Sequence, residues 1–367
     1  MMIEPVNTSK QKKYIALQAL RALAAALVIY VHALGAYGEN INATFISATS
    51  YDLGELGVKI FFCISGFIIF NSSKKMKPGL NSFSLFLRRR FIRVAPIYWI
   101  VTLLYALKLY VHGNPATYAE FFKSVLFIPY SNDSGLMRPI LLQGWTLNYE
   151  MFFYTLFGFG LLISKTNRFF MIFGILISLT LFRHFEIISY GGHAIENILF
   201  LLAENFLMYF LLGLLIGLLN EKGLLTFKGL NETQKIFAIF SVLAIYIFLR
   251  IFIFIPPLWV ELAFALVCFV SLVICILNNA SNQGVSSHRN IFNRIVELAG
   301  DASYSTYLTH AFLMGPIIRA VKWMDFNMSL QIFITITISV CTIFGIFFFK
   351  FIEAPVLSFL NSKFAKI

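Results

Sequence analysis

The stretch Arg21-Ala-Leu-Ala-Ala-Ala-Leu-Val-Ile-Tyr-Val-His32 decides the fold, because it places two polar side chains on one long hydrophobic segment. The length of that segment predicts a membrane-crossing helix, in which charged or titratable side chains are costly and usually functional. Arg21 and His32 lie about 16 Å apart along this helix, roughly half of a ~30 Å bilayer core, and within about 20° of the same face. One helix thus carries a fixed cation near one membrane side and a proton-transfer group nearer the other, which suggests chemistry across a bilayer.

The composition predicts an all-α polytopic membrane protein. Hydrophobic residues make up 59% of the 367 residues and charged residues 13%, whereas soluble domains carry about 25% charged residues. The short alternating segments of a β-barrel are absent. The net charge of +12 does not indicate nucleic-acid binding, since the basic residues lie in short loops between apolar runs. The four cysteines fall inside apolar runs without metal-site spacing, so we expect no disulfide and no metal.

Hydropathy predicts about ten transmembrane helices with both termini in the cytoplasm. Basic residues are about threefold more frequent in the loops on the N-terminal side, the side that the positive-inside rule assigns to the cytoplasm. No small-residue cleavage site follows the first apolar run, which therefore reads as a retained helix. The longest outer segment, about 113–143, predicts a structured loop or a re-entrant piece. The apolar segments are roughly 15–36, 56–72, 94–112, 144–164, 169–183, 196–219, 236–254, 257–279, 300–320 and 328–350.

A cluster of arginines precedes the third apolar segment and exceeds what orientation in the membrane requires. Arginine binds phosphate through two parallel hydrogen bonds, so the cluster is a candidate site for a polyanionic cytosolic cofactor. A positive-inside anchor or an anionic-lipid site is the alternative. The cluster consists of Arg88, Arg89, Arg90 and Arg93.

Glu150 and His32 form the second candidate pair. The fourth segment runs from outside to inside, which predicts that Glu150 lies in the outer half, at roughly the depth of His32. A carboxylate beside an imidazole fixes its tautomer and raises its basicity. Each residue also has a structural alternative: Arg21 snorkelling to the interface, His32 as a hydrogen-bonded core residue, and Glu150 as an interhelical polar contact. The dipeptide Ser65-Gly66 predicts close helix packing.

Six stretches, in order along the chain, resemble the acyltransferase 3 family, integral-membrane O-acyltransferases of bacterial surface glycans. The likeness covers residues 16–356 and is greatest to exopolysaccharide-type acetyltransferases, which begin with a stretch similar to LQALRALAA (17–25). Lys59 departs from the family, whose members often carry an acidic or small polar residue there, so no role of that position is transferred. The stretches are Arg21-x10-His32, GVKIFFCISGFIIF (57–70), LRRRFIRVAPIYW (87–99), GWTLNYEMFFY (144–154), Ser303-Tyr304-Ser305-Thr306-Tyr307-Leu308-Thr309-His310 and Ile352-Glu353-Ala354-Pro355.

The resemblance implies a ten-helix domain over residues 14–356, with short cytoplasmic tails at 1–13 and 357–367, in the bacterial cytoplasmic membrane. It implies acetyl-CoA, or another acyl-CoA, as cytoplasmic co-substrate, and a sugar hydroxyl of a glycan or lipid-linked oligosaccharide as acceptor. The polysaccharide-synthesis machinery is a further possible partner. No added periplasmic esterase-like domain follows the last motif, so we expect the chain to work alone or with a partner.

The resemblance and the residue chemistry together predict site roles. His32 is the expected general base on the sugar hydroxyl, assisted by Glu150, and a covalent acetyl-His32 intermediate is the open variant. A transporter or flippase of an anionic lipid-linked glycan is the rival function, although the internal repeats of transporters are not found. A non-catalytic scaffold is a third reading. The expected cofactor contacts are Arg21, Arg88, Arg89, Arg90 and Arg93, and the expected substrate contacts are Trp145, Asn148 and Tyr149.

Overall fold

A computed structural model describes residues 14–41, 48–130, 138–185, 187, 198–199, 202–225, 229–252, 256–277, 291–324 and 328–364. Over these ranges the chain is helical and contains no β-strand. A 3₁₀ turn, Leu142–Gly144, precedes α5, and a π-helical turn, Phe349–Glu353, joins the last two helices. The helices are α1 (Ile15–Asn40), α2 (Ala48–Ser73), α3 (Leu80–Val111), α4 (Tyr118–Val125), α5 (Trp145–Gly160), α6 (Lys165–His184), α7 (Phe206–Glu221), α8 (Glu232–Phe252), α9 (Pro257–Ile276), α10 (Ile291–Asp301), α11 (Ser303–Trp323), α12 (Leu330–Phe348) and α13 (Ala354–Phe364).

Seven spans in the described part of the chain are long and apolar enough to cross a membrane: α1, α2, α3, α6, α8, α9 and the continuous α12–α13 rod. The other three predicted segments fall on α5, α7 and α11. Helices α5 and α7 have only 16 residues each, about 24 Å, which is shorter than a ~30 Å hydrocarbon core. Helix α11 has 21 residues but begins with a run of hydroxyl side chains. The prediction of a multi-helix membrane protein is confirmed. Of the ten predicted crossing helices, seven are long and apolar enough to span a membrane.

Helix α3 is longer than hydropathy indicated. It begins at Leu80, about 14 residues before the predicted apolar segment, and has 32 residues. The arginine cluster therefore lies inside the helix rather than in a loop before it, which sets the face of the helix from which each side chain projects.

The predicted outer loop contains a short helix. Thr117 and Glu120 cap α4 reciprocally, each side chain accepting a hydrogen bond from the backbone of the other. Trp99 of α3 donates to the carbonyl of Val125 at 2.7 Å and ties this helix to the bundle. The rest of the polar tract, residues 131–137, lies outside the described residues.

Two glycines bring α2 and α7 into backbone contact. A Cβ atom on Gly66 would lie 2.1 Å from the carbonyl oxygen of Phe210, and one on Gly213 would lie 2.0 Å from that of Cys63. The close packing predicted from Ser65-Gly66 is thus observed. Helix α1 packs against α2 on one side and against α10, α11 and α12 on the other. This arrangement surrounds Arg21 and His32 with other helices.

Candidate functional site

A cavity of about 210 Å³ lies inside the bundle, between α1, α2, α3, α5 and α11. Three cations, one carboxylate and several hydroxyls face it, together with an apolar remainder. A charged cavity between apolar helices is the type of place where membrane proteins keep function. Its polar lining consists of Arg21, Ser65, Arg90, Arg93, Thr146, Glu150, Tyr154, Ser303, Tyr304 and Tyr307.

Helix periodicity explains which arginines reach the cavity. Arg90 and Arg93 are three residues apart, so they share one face of α3 and both line the cavity. Arg88 and Arg89 point elsewhere and do not line it, and Arg89 is exposed. The four arginines predicted as one cofactor site therefore divide into a pair on the cavity wall and a pair outside it.

Each cavity arginine has a local partner. Arg90 donates to Ser72 Oγ at 2.5 Å, and its guanidinium lies 5.5 Å from the ring centroid of Phe86. Arg93 Nη1 lies 2.7 Å from Glu353 Oε1. These contacts restrict the orientations of the two guanidinium groups.

Arg21 completes the cationic lining from α1. It donates to Gln18 Oε1 at 3.2 Å, one turn earlier on the same helix. Its charge also interacts electrostatically with Arg93, Asp301, Glu353 and Glu150. Three of the five predicted cofactor contacts, Arg21, Arg90 and Arg93, are thus brought together around one cavity.

Glu150 lies at the depth of Arg21 rather than at the depth of His32. Its Oε1 accepts hydrogen bonds from Ser65, at 3.1 Å, and from Tyr154, and its charge interacts with Arg90 and Arg93. No hydrogen bond joins Glu150 to His32 among the described residues. The pairing predicted from topology is therefore not formed. Gln143 precedes Glu150 by seven residues, about 10 Å along a helix. It lies at the level of the histidines.

The backbone of α1, rather than a carboxylate, orients His32. Its Nδ1 lies 2.8 Å from the carbonyl oxygen of Val28. Because a carbonyl can only accept, Nδ1 carries the proton and Nε2 of the neutral ring keeps its lone pair. That tautomer is the one a general base needs, so the role expected of Glu150 is supplied four residues earlier on the same helix.

A second histidine stands beside His32. The ring centroids of His32 and His310 are 4.9 Å apart. His310 is fully buried, its Nδ1 lies 2.7 Å from the carbonyl oxygen of Tyr307, and its Nε2 lies 3.3 Å from Nε2 of Gln143. Tyr307 also contacts Thr146, with 3.0 Å between their hydroxyls, on the cavity wall. One layer of side chains thus connects the arginine-lined cavity to the pair of imidazoles.

The predicted substrate contacts on α5 face away from the cavity. Trp145 and Tyr149 pack on Phe206 of α7, with ring centroids 5.2 and 5.6 Å apart, and Asn148 is buried. None of the three lines the cavity, because the face that does so carries Thr146, Leu147, Glu150 and Tyr154. An aromatic-rich helix presents two plausible faces, and the sequence alone did not indicate which one packs.

Lys59, the position that departs from the family, belongs to a separate ion cluster. Its side chain is 1% exposed, and its Nζ lies 2.6 Å from Glu261 and 2.8 Å from Glu55. It also stands 4.2 Å from the ring centroid of Phe264. Because this cluster joins α2 to α9, Lys59 has a clear structural role.

Sequence reasoning missed several polar residues that the fold brings to the site. Glu353 is fully buried and accepts from Ser305 Oγ at 2.5 Å as well as from Arg93. Glu353 and His310 lie in motifs that carry the family resemblance, but nothing in their spacing related them to α3 or to His32. Gln143 carried no signal in the sequence.

The comparisons with known proteins agree with this architecture. Residues 14–351 match the family model described as an acyltransferase domain. The chain belongs to the acyltransferase 3 family. It is 26% identical over 311 residues, 84% of this chain and 90% of the relative, to the exopolysaccharide production protein ExoZ of Rhizobium meliloti (strain 1021). It is 28% identical over 163 residues, 43% of this chain and 76% of the relative, to protein 2 in the picA locus of Rhizobium radiobacter. No solved structure matches this chain.

Proposed function

We propose that this protein transfers an acyl group, most simply acetyl, from cytoplasmic acyl-CoA to a hydroxyl of an exopolysaccharide sugar or its lipid-linked precursor. The observation that carries the proposal is the cavity in which Arg21, Arg90 and Arg93 converge, one side-chain layer from His32. The similarity to an exopolysaccharide production protein supports the glycan acceptor. The protein would then act in the bacterial cytoplasmic membrane, with both termini in the cytoplasm.

The residues present suit a phosphate-bearing donor with a long, thin arm. Arg90 and Arg93 hold planar guanidinium groups towards the cavity, and such groups bind phosphate oxygens bidentately. Arg88 and Arg89 meet only the part of the donor that stays outside the cavity wall. Arg21 holds the arm inside the bundle, so the thioester can be directed along α1 towards His32.

The chemistry assigned to His32 is general-base catalysis. Nε2 takes the proton of the acceptor hydroxyl while its oxygen attacks the thioester carbonyl. The carbon–sulfur bond breaks, and the CoA thiolate leaves with a proton returned from the imidazolium. A positioned base gives about 10²- to 10⁴-fold in rate. Transfer through an acetyl-His32 intermediate uses the same two atoms in two steps and remains the alternative.

The test is acetyl transfer by the purified protein in liposomes, with acetyl-labelled acetyl-CoA and alkali-treated exopolysaccharide as acceptor. The His32→Ala variant should lose at least about 100-fold in rate, because a base is removed. His112→Ala is the matched control, since His112 makes the same Nδ1 contact, 2.8 Å to Lys108 O, at the exposed end of α3. Equal activity of the wild type and His32→Ala would overturn the base role.

The cofactor site is tested in the same assay. Arg90→Gln and Arg93→Gln should each raise the KM for acetyl-CoA, while Lys77→Gln, which removes an exposed cation outside the cavity, should not. Arg→Lys at either position should also be harmful, because a lysine cannot form the bidentate contact. An unchanged KM together with failed membrane insertion would favour the alternative of a membrane anchor.

A further inference from the structure

The side chain of Gln143 has a fixed orientation and an unused acceptor atom. It is 3% exposed, and its amide nitrogen lies 3.3 Å from Nε2 of His310. Nδ1 of His310 faces the carbonyl oxygen of Tyr307 and therefore carries the proton, which leaves Nε2 as an acceptor. Gln143 must then donate its N–H to His310, since the opposite orientation would place two lone pairs face to face.

This orientation leaves Oε1 of Gln143 buried without a hydrogen-bond partner among the described residues. Buried polar atoms are almost always paired, so this oxygen is available to accept a hydrogen bond from a ligand group. Its main-chain oxygen, by contrast, accepts from both Thr146, at 3.0 Å, and Tyr307, at 3.2 Å. The backbone at Gln143 is thus anchored to the cavity wall, and the side-chain oxygen has no hydrogen-bond partner among the described residues.

Gln143 and His32 both contact His310. Nε2 of His310 lies 3.3 Å from the amide nitrogen of Gln143, and its ring centroid lies 4.9 Å from that of His32. Nε2 of His32 and Oε1 of Gln143 are both acceptors, and one hydroxyl has a single proton. Two neighbouring donors on one ligand, as on a sugar ring, would satisfy both acceptors.

We propose that Gln143, oriented by His310, accepts a hydrogen bond from the hydroxyl or N–H group next to the hydroxyl that His32 deprotonates. The proposal rests on the function proposed above and narrows its substrate class to sugars with a free donor beside the modified position. Gln143 contacts the acceptor in this scheme, whereas His310 is a positioning residue that acts through it.

The test separates the affinity for the acceptor from the affinity for the donor. Gln143→Met keeps the length of the side chain and removes both polar atoms. It should raise the KM for alkali-treated exopolysaccharide about 3- to 10-fold, the value of one neutral hydrogen bond, and leave the KM for acetyl-CoA unchanged. Ser271→Ala is the matched control, because Ser271 is an equally buried polar residue on α9 that does not line the cavity; it should change neither value.

His310→Phe tests the positioning role of His310. It also replaces the first test if Gln143→Met does not fold. The phenyl ring keeps the contact with His32 and removes the acceptor for Gln143, so the KM for the polysaccharide should rise and that for acetyl-CoA should not. The double variant should lose no more than the worse single variant, because the two residues act as one unit.

The failures are distinguishable. If the wild-type protein acetylates no polysaccharide, the proposed function is wrong. If the wild type is active, two results would overturn only the role of Gln143. Either both variants fold and keep the wild-type KM for the polysaccharide, or they raise the KM values for polysaccharide and acetyl-CoA equally.

Discussion

At the scale of single residues, the buried carboxylate of Glu353 determines how Arg93 is presented. Glu353 is 0% exposed and Arg93 is 37% exposed, so the carboxylate is desolvated while the guanidinium keeps part of its hydration. Arg93 is therefore held by a buried partner, and the rest of its guanidinium stays accessible at the cavity wall.

This asymmetry gives a stability prediction. Glu353→Gln should cost about 2 kcal/mol, because it removes a charge-assisted hydrogen bond from a buried site. Glu221→Gln should cost about 1 kcal/mol or less, since the pair of Glu221 with Lys165 is far more exposed. Melting of the detergent-solubilised variants checks both values, and an equal loss in the two would contradict the ranking.

The separation of His32 and Glu150 gives a second prediction. Topology favoured a coupled pair, but the contacts place Val28 at His32 and Ser65 at Glu150. The effects of Glu150→Gln and of a weakened His32 variant with residual activity should therefore add. A double-mutant cycle on acetyl transfer measures this. A double variant no worse than its worse parent would restore the coupled pair.

At the scale of the helices, the contact between α2 and α7 depends on the absence of side chains at Gly66 and Gly213. Lipid supplies no hydrophobic drive between helices, so association rests on close packing. The adjacent residue of α2, Ser65, lines the cavity. A substitution at this contact is therefore expected to alter the cavity as well as the stability of the protein.

We expect Gly66→Ala to reduce the amount of folded protein and its melting temperature sharply, because the new methyl group would meet backbone atoms of Phe210 that cannot move alone. Gly174→Ala in α6 is the matched control, since no atom lies within 4 Å of its Cβ position. It should be neutral or slightly stabilising, as alanine favours helix by about 1 kcal/mol. Equal melting temperatures of the two variants would contradict the described contact.

At the scale of the whole molecule, the proposed orientation can be tested because all four natural cysteines are buried. Cysteines introduced at the exposed positions Lys77 and Ala119 stand at opposite ends of α3. In sealed, right-side-out cells, a membrane-impermeant maleimide should label Ala119→Cys and spare Lys77→Cys. The opposite pattern would place the arginine cluster outside and remove cytoplasmic acyl-CoA from the proposal.

The sequence predicted features that depend on a single helix, such as its position in the chain. Hydropathy located most of α1 and α2 and the second half of α3. The sequence did not predict contacts between segments that are distant in the chain. Gln143 and His310 are 167 residues apart in sequence, and neither spacing nor charge relates them. The described residues show no hydrogen bond between His32 and its predicted partner Glu150. Depth along a helix is easier to predict than the neighbour found there.

The rigid spacing of Arg21 and His32 on one helix sets a minimum length for any donor. An acyl donor whose anion is bound at the arginines must extend its reactive carbon about three helical turns, roughly 16 Å, to reach the imidazole. Acetyl phosphate, in which the two groups are adjacent, should therefore occupy the arginine site and inhibit without donating. The bundle would distinguish activated acyl compounds by molecular reach, although all of them offer it the same acetyl group.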